Sequence, residues 1–188
     1  MTAFDKIGPE NTPAAAEIAV KRAIELDTDI VAASNQGDTA YALLSEGEKQ
    51  GFKGNIVIIT QVSKAAANGV NVMPPEVKAD LKARGVIFVT AGHALSGAER
   101  GLSTKYKGIY PVEIIADTLR TISRGTKVCY EVSVMALDAD AIPYGKPVVA
   151  VGGSGRGADT VCVITPGYSA NILDTKVNEI ICKPNLYE

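Results

Sequence analysis

A chain of 188 residues has the length of one domain, so residues 1–188 are read as a single folded unit. Nineteen basic against 21 acidic residues give a net charge of −2, and with no basic stripe or aromatic stacking set, nucleic acid is not an expected partner. No apolar run reaches the ~18 residues of a membrane span, and the first residues lack the basic, apolar, small-residue layout of a secretion signal, so a soluble cytoplasmic protein is expected.

Residues 1–10 show no periodicity beyond Phe4 and Ile7 and are expected to form an arm. Thr12 followed by Pro13 reads as N-cap and first residue of a helix. Ala15, Ile18, Ala19, Ala23 and Leu26 supply its apolar face. Residues 29–33 are a short apolar run suited to a strand buried on both faces. A polar turn over 34–39 comes next, then a helical pattern from Ala40 to about Gln50, with Gly51 as its stop.

That strand–turn–helix stretch organises the reading. Gly37 lets the backbone bend sharply, and Asp38 or Thr39 can cap the helix. The first helical turn leaves N–H groups without internal partners, and its dipole favours an anion such as phosphate there. A capped connection with no ligand is the plainer reading, and this stretch alone leaves both open.

Residues 55–60 read as a second buried strand, with Thr60 and Gln61 at its C-terminal end. A small-residue loop spans 62–73, Pro74 and Pro75 start a third helix, and Gly85 ends it. Residues 86–90 form a third strand, followed by Ala91, Gly92 and His93. Near-continuous apolar strands separated by helices predict an α/β fold with a parallel sheet covered on both faces. The polar segment 93–111 is long for a connection and reads as a loop serving as lid or interaction surface. Pro111 starts a helix with Ile114, Ile115, Leu119 and Ile122 apolar, closed by Gly125.

Residues 127–142 carry two periods. Val128, Tyr130, Val132 and Val134 alternate as in a strand, and their β-branched content agrees. Val128, Val132, Met135, Ala136 and Ala139 fit a helix, and the length and the Ala-rich ending favour that choice. Residues 147–151 are then a strand, 152–159 a glycine-rich loop and 160–165 another strand; so short a link requires the two to run antiparallel. In the remaining extension, 166–188, residues 178–182 read as an edge strand.

The helix leading into Ile30-Val-Ala-Ala-Ser-Asn-Gln-Gly-Asp-Thr-Ala40, the strand after Gly85 and the hairpin over 147–165 together resemble the C-terminal domain of pyruvate kinase. The likeness is stronger still to small stand-alone archaeal and bacterial proteins built on that domain. Pyruvate kinases carry a similar strand followed by a Thr/Ser-x-Ser-Gly-x-Ser/Thr-Ala turn. The resemblance runs over residues 11–165, less the segment from His93 to about Arg124. It implies a three-layer α/β/α fold with a mixed, mostly parallel sheet ordered 3-2-1-4-5 and strand 5 antiparallel. Here those strands are 29–33, 55–60, 86–90, 147–151 and 160–165 in turn. Strands 1 and 4 are then neighbours where the winding reverses, so the loops 34–39 and 152–159 splay apart around a crevice. In pyruvate kinases the turn matching 34–39 is similar to the seat of a sugar-phosphate effector. Asn35, Gln36 and Asp38 depart from the family's usual residues, which keeps the backbone donors but puts that particular effector in doubt. The catalytic barrel of pyruvate kinase has no counterpart in these residues, so its kinase activity is not implied.

The glycine-rich loop contains a Gly-x-Gly-x-x-Ala match, yet a dinucleotide fingerprint needs a helix next and a strand follows. Gly153, Gly155 and Gly157 still permit close approach of a ligand, and with Ser154 and Thr160 they can form a nest of N–H groups. Arg156 can grip a phosphate with two donors. The alternative is a hairpin whose glycines only satisfy its turn. Thr60, Gln61, Thr90 and His93 lie at strand C-terminal ends and are further candidates for binding a ligand, with capping or loop bonding as the plainer role for each. His93 beside Glu99 can act as acid or base. Asp38 and Asp159 can meet across the crevice, although cap and turn roles account for both.

His93 is the single histidine, and Cys129, Cys162 and Cys182 lack ligand spacing, so no metal site is expected and the thiols are read as core residues of a reduced compartment. The leading expectation is a phosphorylated small molecule between loops 34–39 and 152–160. Flavin mononucleotide (FMN) comes first, its phosphate on the turn and its ring under residues 93–111. The alternatives are phosphate-ester hydrolysis or transfer through Asp38, His93 or Asp159, and a homo-oligomeric regulatory module whose glycine loops are merely structural.

Overall fold

A computed structural model of the chain describes residues 1–62 and 69–185. Strand β1 (Thr2–Phe4) and a 3-10 turn (Pro9–Asn11) precede helix α1 (Thr12–Leu26). Then come β2 (Ile30–Ala33), α2 (Asp38–Gln50), β3 (Ile56–Gln61), α3 (Pro75–Ala83) and β4 (Ile87–Ala91). Three helices follow without an intervening strand: α4 (Gly97–Tyr106), α5 (Pro111–Arg120) and α6 (Arg124–Asp138). The chain closes through β5 (Val148–Gly152), β6 (Thr160–Thr165), a 3-10 segment (Ser169–Asp174) and β7 (Lys176–Pro184). The small-residue loop expected over 62–73 falls largely on 63–68, outside the described residues.

All seven strands form one sheet ordered β1-β7-β6-β5-β2-β3-β4. The five strands from β6 to the β4 edge take the order expected from the sequence, and the sheet continues two strands, β7 and β1, beyond β6. Only β6 runs against its neighbours, antiparallel to both β5 and β7. The register sets Ile30 beside Val149 and Ala32 beside Val151, so strands from distant parts of the chain share one pleat.

Alternation along each strand divides the core between two faces. Ile30, Ala32, Ile58, Val149 and Val151 meet Ala19, Val20, Leu43 and Leu81 of α1, α2 and α3. Val31, Val57, Ile59 and Val89 meet Val132, Met135 and Ala136 of α6 on the other side. Ala116 of α5, with Ile115 and Leu119 beside it, covers Tyr130 and Val134 on the outer side of α6. Pressed between sheet and outer layer, α6 is buried nearly all round and carries apolar residues on several sides, which is why its sequence carries both a strand-like and a helix-like period. The parallel crossover from β4 to β5 also demands a helix there.

Four expectations are corrected. Residues 1–10 are not a free arm, because β1 pairs parallel with β7 from Thr2↔Cys182 to Phe4↔Pro184. The strand expected at 178–182 spans Lys176–Pro184 and lies inside the sheet, since β1 covers its outer side. The loop expected over 93–111 contains α4, whose single buried residue is Ser103 and which therefore shows no apolar stripe. Gly125 does not end α5; it lies in the first turn of α6, capped by Ser123, whose Oγ accepts from the Thr126 N–H at 2.9 Å.

The three thiols are free and fully buried. Burial pushes Cys129 well above the usual thiol range and Cys182 up to about 12. A buried, protonated thiol is a poor nucleophile. We expect no thiol of the native protein to react with a disulfide reagent at pH 8, and all three to react in denaturant. A fast-reacting native thiol would contradict this packing.

Candidate functional site

The chain leaves β2 for α2 on one face of the sheet and enters β5 from α6 on the other. The winding reverses between these neighbours, and among the described residues no element fills the space above their C-terminal ends. A crevice of about 690 Å³ opens there. It is lined by Ser34, Asn35, Gln36, Asp38 and Thr39 after β2, Thr60 and Gln61 at the C-terminal end of β3, His93 after β4, and residues 153–157 after β5. The two turns singled out in the sequence therefore do face each other.

The turn after β2 is braced rather than loose. Asn35 Oδ1 accepts from the Gln61 N–H at 3.0 Å, and Gln36 Nε2 donates to the Val72 carbonyl at 3.2 Å. Gly37, at φ 99°, is the N-cap of α2 and makes no side-chain bond to the first turn, so neither Asp38 nor Thr39 caps it. The unpartnered N–H groups of that turn stay available. Asp38 instead reaches across the crevice, where its Oδ2 accepts from Arg156 Nε at 2.9 Å. Both side chains of this pair are largely exposed.

The glycine-rich loop is compact. Gly157 has φ 79°, and a Cβ there would lie 2.5 Å from Pro9 Cα. At Gly153 a Cβ would meet the Gly157 carbonyl at 2.3 Å. Asp159 is buried beneath the loop, its carboxylate accepting from the Ser154 N–H at 3.1 Å and the Thr160 hydroxyl at 2.8 Å. It holds the turn and does not meet Asp38, so the expected carboxylate pair is replaced by a cross-crevice ion pair and a buried brace. Thr160 is likewise buried below the loop. Thr90 lies on the sheet edge away from the lining, sharing a 2.7 Å hydrogen bond with Thr60.

Sequence reasoning missed the opposite wall. Arg120 of α5 and Arg124, Lys127, Val128, Glu131, Val132 and Met135 of α6 complete the lining. Glu131 is 2% exposed and fully engaged. Its Oε2 accepts from Lys127 Nζ at 2.6 Å and faces His93 Nδ1 at 3.0 Å, and its Oε1 accepts from the Leu95 N–H at 2.9 Å. His93 therefore pairs with Glu131 and not with Glu99, whose carboxylate accepts from the Glu113 N–H. Of the expected lid, only His93 reaches the crevice, so a ligand ring would lie against α6 and not under residues 93–111. The signal within reach of the sequence was the spacing of Arg124, Lys127 and Glu131, which keeps three charges on one side of α6.

Burial pushes the Glu131 carboxyl up, but the His93 hydrogen bond and the Lys127 ammonium outweigh it, and the net direction is down from 4.5. A depressed carboxyl stabilises the fold above its unfolded value and loses that contribution as pH falls through the folded value. We expect the urea midpoint to drop between pH 6 and pH 3.5, and the drop to be smaller in Glu131→Gln. Equal drops in both proteins would assign the acid sensitivity elsewhere.

The geometry offers a cation-rich cleft with two helix N-termini at its rim, those of α2 and α6. Four cations (Arg120, Arg124, Lys127, Arg156) stand against two carboxylates (Asp38, Glu131) in its lining, and Asp117, just outside it, pairs with Arg120, within a chain of net charge −2. A family model described as the pyruvate kinase alpha/beta domain matches residues 13–164, from α1 through β6.

Proposed function

This chain belongs to the pyruvate kinase alpha/beta domain family, and from that premise we propose that the crevice binds a phosphorylated small molecule. The match concerns that domain alone and brings no pyruvate kinase reaction with it. The carrying observation is the local excess of positive charge in an acidic chain, at a cleft where two helix N-termini also point. A cleft of about 690 Å³ falls in the roughly 300–1,000 Å³ range of small-molecule sites.

FMN is the first compound to test. Its phosphate suits the free N–H groups of residues 37–39 and the adjacent Arg156, which would exchange Asp38 for the ligand. The apolar flank formed by Val128, Val132 and Met135 suits a flat ring. Calorimetric titrations with FMN and with riboflavin isolate the phosphate. We expect FMN to bind at least tenfold tighter, a difference of about 1.4 kcal/mol, and Arg156→Ala to erase most of it. Equal affinities, or no heat from FMN, sugar phosphates and nucleotides, would remove the reading.

A further inference from the structure

The crevice wall contains a group that ligand binding does not require. Glu131 and Lys127 are both buried in α6, and burying two charges costs desolvation that an apolar pair of the same shape would avoid. What the pair accomplishes is visible in its third member. Glu131 Oε2 faces His93 Nδ1 at 3.0 Å while Oε1 is occupied by the Leu95 N–H. Lys127 neutralises the carboxylate, and the carboxyl is held below its ordinary value, so Glu131 is an acceptor only. The imidazole nitrogen facing it must then carry the hydrogen. Neutral His93 is fixed with its proton on Nδ1 and a bare lone pair on Nε2, and its half-exposed ring lines the crevice.

We propose that the crevice hydrolyses phosphate monoesters, with His93 Nε2 as its general base and Glu131 and Lys127 as positioning residues. This rests on the phosphorylated-ligand reading of the same site. Nε2 takes a proton from a water molecule as the water oxygen forms a bond to phosphorus. The ester P–O bond breaks on the opposite side of phosphorus, where the departing alkoxide takes a proton from solvent water while the imidazolium returns its own to solvent, leaving alcohol and inorganic phosphate. Arg124, and Arg120 once it turns from its i,i+3 partner Asp117, stand on the same wall and offset the negative charge on the phosphoryl oxygens. Asp159 takes no part, being buried and held beneath the glycine-rich loop.

His93 is the single histidine, so its ring nitrogens can be read without assignment ambiguity in protein labelled with ¹⁵N-histidine. At alkaline pH, the wild-type spectrum is expected to show the Nδ1–H tautomer. Glu131→Gln is expected to mix the two tautomers, and Glu131→Asp to retain the first in part. Phosphate release from FMN and from p-nitrophenyl phosphate is expected to fall roughly 10²- to 10⁴-fold in His93→Gln, with FMN binding kept within a few-fold. An Nε2–H tautomer in the wild type overturns the proposal. So does a wild type that binds FMN yet releases phosphate no faster than His93→Gln. A protein that binds neither FMN nor inorganic phosphate ends the binding reading first, and this one with it.

Discussion

Replacing Glu131 by alanine should be the most damaging single substitution at the crevice. The variant leaves the Lys127 ammonium buried without its partner and strips an acceptor from the Leu95 N–H. Breaking a buried pair from one side costs about 3–5 kcal/mol, a large share of the roughly 5–15 kcal/mol of a typical domain. For a chain of this size that lowers Tm by roughly 10 °C. Removing both charges together, in Lys127→Met with Glu131→Leu, should recover most of the loss, because no uncompensated ion remains. Thermal unfolding of the three proteins checks this. A Glu131→Ala protein as stable as the wild type would mean that Lys127 finds water and that the wall is not closed.

The second expected loss lies where α6 meets β6. A Cβ on Gly125 would fall 2.0 Å from Thr160 Oγ1 and 2.4 Å from Thr160 Cβ, and neither atom can swing away because Thr160 is fully buried. Alanine would gain about 1 kcal/mol of helix propensity. The contact is too close for that gain to decide the sign, and overpacking costs about 1–3 kcal/mol. Relief requires lifting the start of α6 off the sheet, which carries Arg124 and Lys127 with it. We therefore expect Gly125→Ala to lower the urea midpoint and weaken FMN binding together. A raised midpoint would show that alanine fits and that the helix start is not pinned.

The strands were legible because each is an apolar run buried on both faces and bounded by turn residues, and the turns after β2 and β5 because glycine and polar residues interrupt those runs. The crevice between them followed from strand order. The far wall was not legible, since Arg120, Arg124, Lys127 and Glu131 look like the solvated charges of any surface helix. Only the folded chain, which sets the end of α5 and the start of α6 beside the crevice, places them in its wall. His93 was matched to Glu99 because the two are near in sequence, whereas its partner Glu131 is 38 residues on and comes close through the crossover from β4 to α6. α4 escaped notice for a different reason, as a helix on the outer surface has no apolar face to reveal it.

The central claim is spatial, that one ligand touches both turns at once. Backbone amide spectra of ¹⁵N-labelled protein titrated with FMN test it most directly. The account predicts saturable shifts at residues 37–39 and at residues 153–157 with a single affinity, along with the Arg124 and Thr126 amides at the start of α6. Shifts at one turn without the other, or shifts confined to a surface away from β2 and β5, would contradict it.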